Sequence, residues 1–248
     1  MASLDWLIAR PVAHRGLHDS TGGVIENAPS AFASAVAGNY AIECDLQLSA
    51  DGEAMVFHDD TLERLTERAG TIAALPAREL RQVAYKGSRD RIITLGELTD
   101  LVAGRTPLVI ELKSDFDGDL RLVRRAAEVL RNYAGSVAVM SFDPDLIAAL
   151  RHIAPGITRG MVSDRYFTHP HWKFLKPAQK RNLAFLLHAP RSRPQFIAYR
   201  VDDLPSIAPW IARNVFGLPL LTWTVRTGAD RARAQRHADQ IIFEGFRA

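Results

Sequence analysis

The feature that most constrains this chain is a rhythm running along its length, in which short β-rich runs are each followed by a helical pattern. The runs fall at residues 11–14, 41–47, 108–112, 136–141, 158–162, 196–200, 220–225 and 240–243. Helical patterns lie between them at 29–37, 95–102, 120–132, 145–153, 177–187, 206–213 and 229–236. Three carry start signals: Ser30 ahead of an Ala/Phe/Val stripe, Asp143-Pro144, and Thr94 three residues before Glu97 as a capping box. Alternating strands and helices pack as parallel strands joined by right-handed crossovers. Eight units in 248 residues is about 31 residues each, the span of a (β/α)8 TIM barrel. An open doubly wound sheet would announce a Gly-rich phosphate loop after its first strand, and none follows His14.

One interval breaks the rhythm. Residues 59–94 separate the short run Met55-Val56-Phe57 from the next helix and are rich in arginine (Arg64, Arg68, Arg78, Arg81, Arg89, Arg91). They read as a small inserted subdomain after the second strand, within a single domain spanning 1–248. Nothing else in the chain marks a linker or a low-complexity segment.

Composition narrows the function classes. Lys+Arg 31 against Asp+Glu 28 leaves a net charge of only +3, too even to argue for nucleic acid as a partner. The N-terminus carries Asp5 early and closes its apolar stretch with Arg10-Pro11, which is not a secretory signal. No run of 18 or more uncharged apolar residues predicts a membrane span. The lone Cys44 cannot form an internal bridge and suits a reducing compartment. Together these predict a cytoplasmic protein without stable membrane insertion.

The chemistry-bearing residues sit where strands leave an apolar core. His14 and Arg15 end the first strand, Glu43 and Asp45 interrupt the second, His58 and Asp59 follow Phe57, and Glu111 with Lys113 closes Leu108-Val109-Ile110. Residues two apart in a strand share a face, so Glu43 and Asp45 point one way, as do Glu111 and Lys113. Cys44 alternates away, toward the helix layer, and has no catalytic part. In a barrel, polar residues at strand C-terminal ends face the mouth, where active sites are built. Three converging carboxylates repel: at about 4 Å and an effective dielectric near 20, each pair costs on the order of 4 kcal/mol. They must protonate, pair with cations or hold a metal. An oxygen-only set suits a hard divalent ion, Mg²⁺ or Ca²⁺, better than zinc. A lone strand-end acid or histidine is usually a loop contact. Two histidines, three acids, an arginine and a lysine at four strand ends point instead to an active site.

Beyond this pattern, the chain resembles the glycerophosphodiester phosphodiesterase family. The matching segments run in order: Ala13-His14-Arg15-Gly16, Glu26-Asn27 with Phe32, Ile42 through Leu48, Asp51-Gly52, and Val56 through Arg64. They continue through Ile110-Glu111-Leu112-Lys113, Ser141-Phe142-Asp143-Pro144 and Trp223-Thr224-Val225. The match is densest over 12–66 and runs more thinly to about 243. The resemblance implies a TIM barrel with a small insertion after the second strand. It implies a divalent metal on Glu43, Asp45 and Glu111, and His14 with His58 as the acid–base pair. It also implies phosphate contacts from Arg15 and Lys113, and Glu26 and Asn27 lining or bracing the site. The products implied are glycerol 3-phosphate and an alcohol. Two positions depart from the family's pattern: Ala28-Pro29 follows the Glu-Asn pair where Thr is common, and the last strand ends Phe243-Glu244 where Thr-Asp is common.

Other features have simpler readings. His169-Pro170-His171-Trp172 has metal-ligand spacing but no evident carboxylate partner, and reads as an exposed loop after the fifth strand rather than a second metal site; such a loop could still cover the pocket, with Trp172 against substrate. Trp223 suits either the barrel interior or stacking on substrate. His18, His152, His188 and His237 read as structural, and 231–236 as a solvated helix face. Two rival functions share the residues. A lysophospholipase D would use the same site but needs an apolar trough, for which Phe167, Trp172, Phe174, Leu175 and Phe185 are candidates. A silent phosphate-binding module would have lost a histidine or carboxylate, and all are present.

Overall fold

A computed structural model describes residues 4–248. Its strands are β1 (Val12–Ala13), β2 (Ala41–Leu48), β3 (Ala54–Val56), β4 (Leu108–Leu112), β5 (Val137–Ser141), β6 (Thr158–Ser163), β7 (Phe196–Arg200), β8 (Leu220–Val225) and β9 (Gln240–Phe243). Eight of them, all but β3, are parallel neighbours, and β1 pairs with both β2 and β9, so the sheet closes on itself. The structure is a (β/α)8 barrel. Helices α1 (Asp5–Ile8), α2 (Pro29–Ala37), α3 (Ala77–Leu80), α4 (Leu95–Val102), α5 (Arg121–Leu130) and α6 (Pro144–Ile153) come first. After them come α7 (Pro177–Ala184), α8 (Ala189–Ser192), α9 (Ile207–Asn214) and α10 (Gly228–His237). Among the described residues, no helix is long and apolar enough to cross a membrane.

Alternation along the strands divides the core in two. Ile42, Cys44, Ile110 and Val139 pack outward against Phe32, Leu98, Val123 and Leu150 of the helix layer. Val12, Ala41, Val109, Ala138, Phe196 and Leu221 fill the barrel interior, joined by Leu7 of α1. Fully buried on both faces, these strands read as near-continuous apolar runs, which is why polar residues inside them stand out.

The helix-start signals resolve differently. Thr94 and Glu97 form the capping box, with Glu97 N–H donating to Thr94 Oγ1 at 3.2 Å and Thr94 N–H to Glu97 Oε2 at 2.9 Å. Asp143 caps α6 through Asp145 N–H at 2.8 Å. Ser30 caps nothing: Ala28 is the N-cap of α2, Pro29 begins the helix, and the Ser30 hydroxyl donates to Asp90 Oδ2 at 2.5 Å instead. The first strand is shorter than expected because Arg15 adopts φ 55° and Gly16 φ 80°, turning the chain out of the sheet. A Cβ on Gly16 would meet Ala31 Cβ at 2.8 Å, so the turn also needs the close approach to α2 that only glycine allows.

Residues 57–93 leave the barrel after β3, which pairs antiparallel with β2. Met55, Phe57, Leu62, Ile72, Leu80 and Tyr85 form a cluster of their own, with the Phe57 and Tyr85 rings stacked at 6.1 Å. Most of the arginines in this segment are partnered on the surface, Arg68 by Glu79 and Arg81 by Glu97.

Inside the barrel, Gly160 pairs with Phe196, and a Cβ there would lie 2.3 Å from the Phe196 ring. Both are buried, so the ring can give way only by displacing its packed neighbours. Gly160→Ala is expected to cost about 1–3 kcal/mol in urea unfolding, and Phe196→Leu added to it should recover part of that loss.

Candidate active site

The register of β2 against β4 assembles the acids. Asp45 pairs with Glu111 across the sheet, and Glu43 lies two residues back on the same face of β2. All three are buried, Glu43 and Asp45 at 2% exposure and Glu111 at 8%. One oxygen from each lies within 4.8 Å of the others, and this is the group among the described residues that could hold a metal ion. Oxygens sharing one ion at about 2.0–2.6 Å are separated by no more than roughly 4–5 Å, so the spacing fits Mg²⁺ or Ca²⁺.

Two cations answer the three acids. Lys113 Nζ lies 2.8 Å from Asp45 Oδ1 and 2.7 Å from Glu111 Oε1, bridging the two strands. Arg15 Nε lies 3.3 Å from Asp45 Oδ2, and the Arg15 backbone N–H donates to Glu43 Oε2 at 2.9 Å. Burial works against the charge on Asp45, but Lys113, His58 and Arg15 outweigh it and hold its carboxyl well below the usual range. Burial also disfavours a charged Lys113, yet Asp45 and Glu111 keep it ionised. The deficit of positive charge falls on Glu43. Burial, then Asp45 and Glu111, push its carboxyl well above the ordinary value. An all-oxygen site that still lacks a positive charge fits a divalent cation.

The two histidines flank this cluster. His14 Nε2 is 3.9 Å from Glu43 Oε2, while its Nδ1 is 2.5 Å from Glu244 Oε2. Burial lowers the His14 pKa to about 4, more than its acidic neighbours restore. His58 sits just past β3 on the inserted segment, with Nδ1 2.7 Å from Asp59 Oδ1 and its backbone carbonyl accepting from Gln47 Nε2 at 2.8 Å. His14, His58, Glu43, Asp45, Glu111, Arg15, Lys113 and Trp223 all line one cavity of about 1100 Å³ at the strand C-terminal ends.

Glu26 and Asn27 do not line that cavity; they stand behind it. Asn27 is fully buried, donating from Nδ2 to Asp45 Oδ2 at 2.9 Å and accepting from Asp45 N–H at 3.3 Å. Glu26 Oε1 accepts from Arg15 Nη1 at 2.5 Å and from Arg64 Nη2 at 2.7 Å. Arg64 in turn donates from Nε to Asp59 Oδ2 at 2.5 Å, so one chain of ion pairs runs from Arg15 to the partner of His58.

The far wall is aromatic. Trp223 donates from Nε1 to Ala198 O at 3.1 Å and meets the Phe142 ring edge-on at 5.6 Å. Phe142 is 4.8 Å from Trp172, which is 6.1 Å from Phe116. The loop carrying Trp172 does reach the cavity, and Asp164 Oδ2 fixes it by accepting from Trp172 Nε1 at 2.8 Å. His169 has a carboxylate partner that its spacing did not reveal, Asp203 at 3.4 Å. Neither His169 nor His171 joins the three-acid cluster. His18 is likewise not without an acid, since Glu244 Oε2 lies 3.5 Å from its Nε2. Glu244, Phe116 and Asp164 are among the site residues the sequence did not single out; the only trace of Glu244 was the departure from Thr-Asp.

A sequence profile described as the glycerophosphoryl diester phosphodiesterase family matches residues 14–243. A glycerophosphodiester phosphodiesterase of Caldanaerobacter subterraneus subsp. tengcongensis is 28% identical over 234 residues, 90% of this chain and 88% of that one. Among solved structures, an Oleispira antarctica phosphodiesterase in complex with the product sn-glycerol-3-phosphate superposes with a TM-score of 0.76 at 21% identity, covering 94% of this chain and 91% of that one. A glycerophosphodiester phosphodiesterase from Thermotoga maritima superposes at 0.70 with 22% identity, covering 94% of each. Both structural likenesses concern the fold.

The bracing pairs set a pH dependence of stability. Burial would raise the Glu26 carboxyl, but Arg64 and Arg15 lower it from 4.5 to about 2. Its contribution is complete above pH 4.5 and is lost as pH falls toward 2. Glu26→Gln should therefore lower stability by about 1–3 kcal/mol at pH 7 and much less at pH 2–3, read by urea midpoints at both pH values.

Proposed function

This chain belongs to the glycerophosphoryl diester phosphodiesterase family, and on that premise we propose that it is a phosphoric diester hydrolase converting glycerophosphodiesters to glycerol 3-phosphate and an alcohol. The observation that carries this reading is the convergence on one cavity of two histidines with an all-oxygen cluster short of positive charge. Glu43, Asp45 and Glu111 would hold one divalent cation, Mg²⁺ or Ca²⁺. When bound, it supplies Lewis-acid neutralisation of the phosphodiester anion.

The chain's own residues do the rest. Arg15 and Lys113 present buried positive charge at the cavity and oppose the repulsion between a phosphodiester and an incoming nucleophile. Their pairing with Asp45, Glu26 and Glu111 holds them in place beforehand. His14 and His58 form the acid–base pair, one taking a proton from the nucleophile and the other returning one to the leaving alkoxide. Trp223, Phe142 and Trp172 give the far side of the cavity an aromatic surface. Residues 1–248 are read as one catalytic unit, with 59–94 as an inserted subdomain whose task is to present His58; the separate cluster around Phe57 supports this.

Deacylated diesters are favoured over lysophospholipids. Of the five residues considered for an acyl trough, Phe167, Leu175 and Phe185 do not line the cavity, Trp172 is buried, and only Phe174 is both exposed and in its wall. Glycerophosphocholine should accordingly be turned over faster than lysophosphatidylcholine; the reverse order would move the reading to a lysophospholipase D.

EDTA should abolish turnover of glycerophosphocholine, with Mg²⁺ or Ca²⁺ restoring it, and activity indifferent to chelation would remove the metal. His14→Ala and His58→Ala should each lower kcat by about 10²–10⁴-fold, whereas near-wild-type rates in both would remove the acid–base pair.

A further inference from the structure

The strand that closes the barrel delivers an acid to the back of one histidine. Glu244 follows β9 directly, and its position is set by backbone pairing on both sides. His14 N–H donates to Phe243 O at 2.9 Å, and Glu244 N–H donates to Val225 O at 3.2 Å. Its side chain is anchored as well: Oε1 accepts from Arg226 Nε at 2.5 Å, while Oε2 faces His14 Nδ1 at 2.5 Å and His18 Nε2 at 3.5 Å. Burial opposes its charge, but the close approach of His14, His18 and Arg226 holds it well below the usual carboxylate range.

An ionised carboxylate has no proton to give, so Nδ1 of His14 must be the donor in that contact. The remaining nitrogen, Nε2, then carries the lone pair, and it is the atom on the side of Glu43 and the cavity. We infer that Glu244 is a positioning residue, holding the His14 ring in the plane and tautomer that present Nε2 to the reacting centre. This rests on the reading of His14 as one member of the acid–base pair. A purely structural Glu244 would tie the ends of β1, β8 and β9 together and have no connection with the task of His14.

The two roles separate in a double-mutant cycle on the Mg²⁺-supplemented enzyme with glycerophosphocholine. Glu244→Ala and Glu244→Gln should lower kcat by at least about 10–100-fold, the range known for losing the partner that orients a metal-bound histidine, with KM within about threefold of wild type. In a His14→Ala background, Glu244→Ala should change kcat by less than about twofold, because nothing remains for it to orient. A second readout needs no turnover. In protein labelled with ¹⁵N-histidine, the signals absent from His14→Ala should report an Nδ1-protonated neutral ring in wild type and a shifted tautomer balance in Glu244→Gln. Wild-type kcat in both Glu244 variants, a full additive loss in the His14→Ala background, or an unchanged tautomer would each overturn the inference. If His14→Ala itself keeps full activity, it is the acid–base reading that falls. Glu244→Gln keeps the side-chain volume and covers the case in which Glu244→Ala fails to fold.

Discussion

The structure depends on placing three carboxylates in a buried mouth with too little positive charge to satisfy them. Glu43 and Asp45 share a face of β2, and the β2–β4 register sets Glu111 beside Asp45. At such depth, screening by water is weak, and each acid needs a partner. Lys113 and Arg15 supply two, and what remains accumulates as a raised carboxyl at Glu43. An imbalance of that sign is what a divalent cation held by the three acids would offset.

Much of the surrounding structure exists to hold this arrangement rigid. Asn27 bonds Asp45 twice, and Glu26 grips Arg15 from the side away from the cavity. Arg64 ties that brace to Asp59 and thus to His58. The inserted segment therefore connects to the barrel mouth by ion pairs on one side and by the β2–β3 hairpin on the other. Its apolar cluster, which also takes in Ala28 and Met55, packs it against the barrel next to His58.

The cavity is asymmetric. The carboxylate cluster and its cations from β1, β2 and β4 occupy one side, while Phe142, Trp172 and Trp223, contributed by the β5, β6 and β8 side, lie on the other together with the charged Asp164, Arg200 and Arg226.

Much of this was legible in the sequence, for a physical reason. Strand alternation is local, so Glu43 with Asp45 and Glu111 with Lys113 declare a shared face within three residues, and buried parallel strands are apolar enough for such acids to stand out. The same locality gave the helices at Leu95–Val102 and Pro144–Ile153 with their caps. Tertiary structure decided whatever depends on elements distant along the chain. Ser30 turned to Asp90 instead of capping α2 because the inserted segment brings that acid within reach. Glu26 and Asn27 became braces because the turn at Arg15 and Gly16 sends them behind Asp45 rather than into the cavity. Glu244 and His14, 230 residues apart, meet only because β9 closes the barrel against β1. Closure is a property of the whole sheet, and no local pattern announces which residues it will bring face to face.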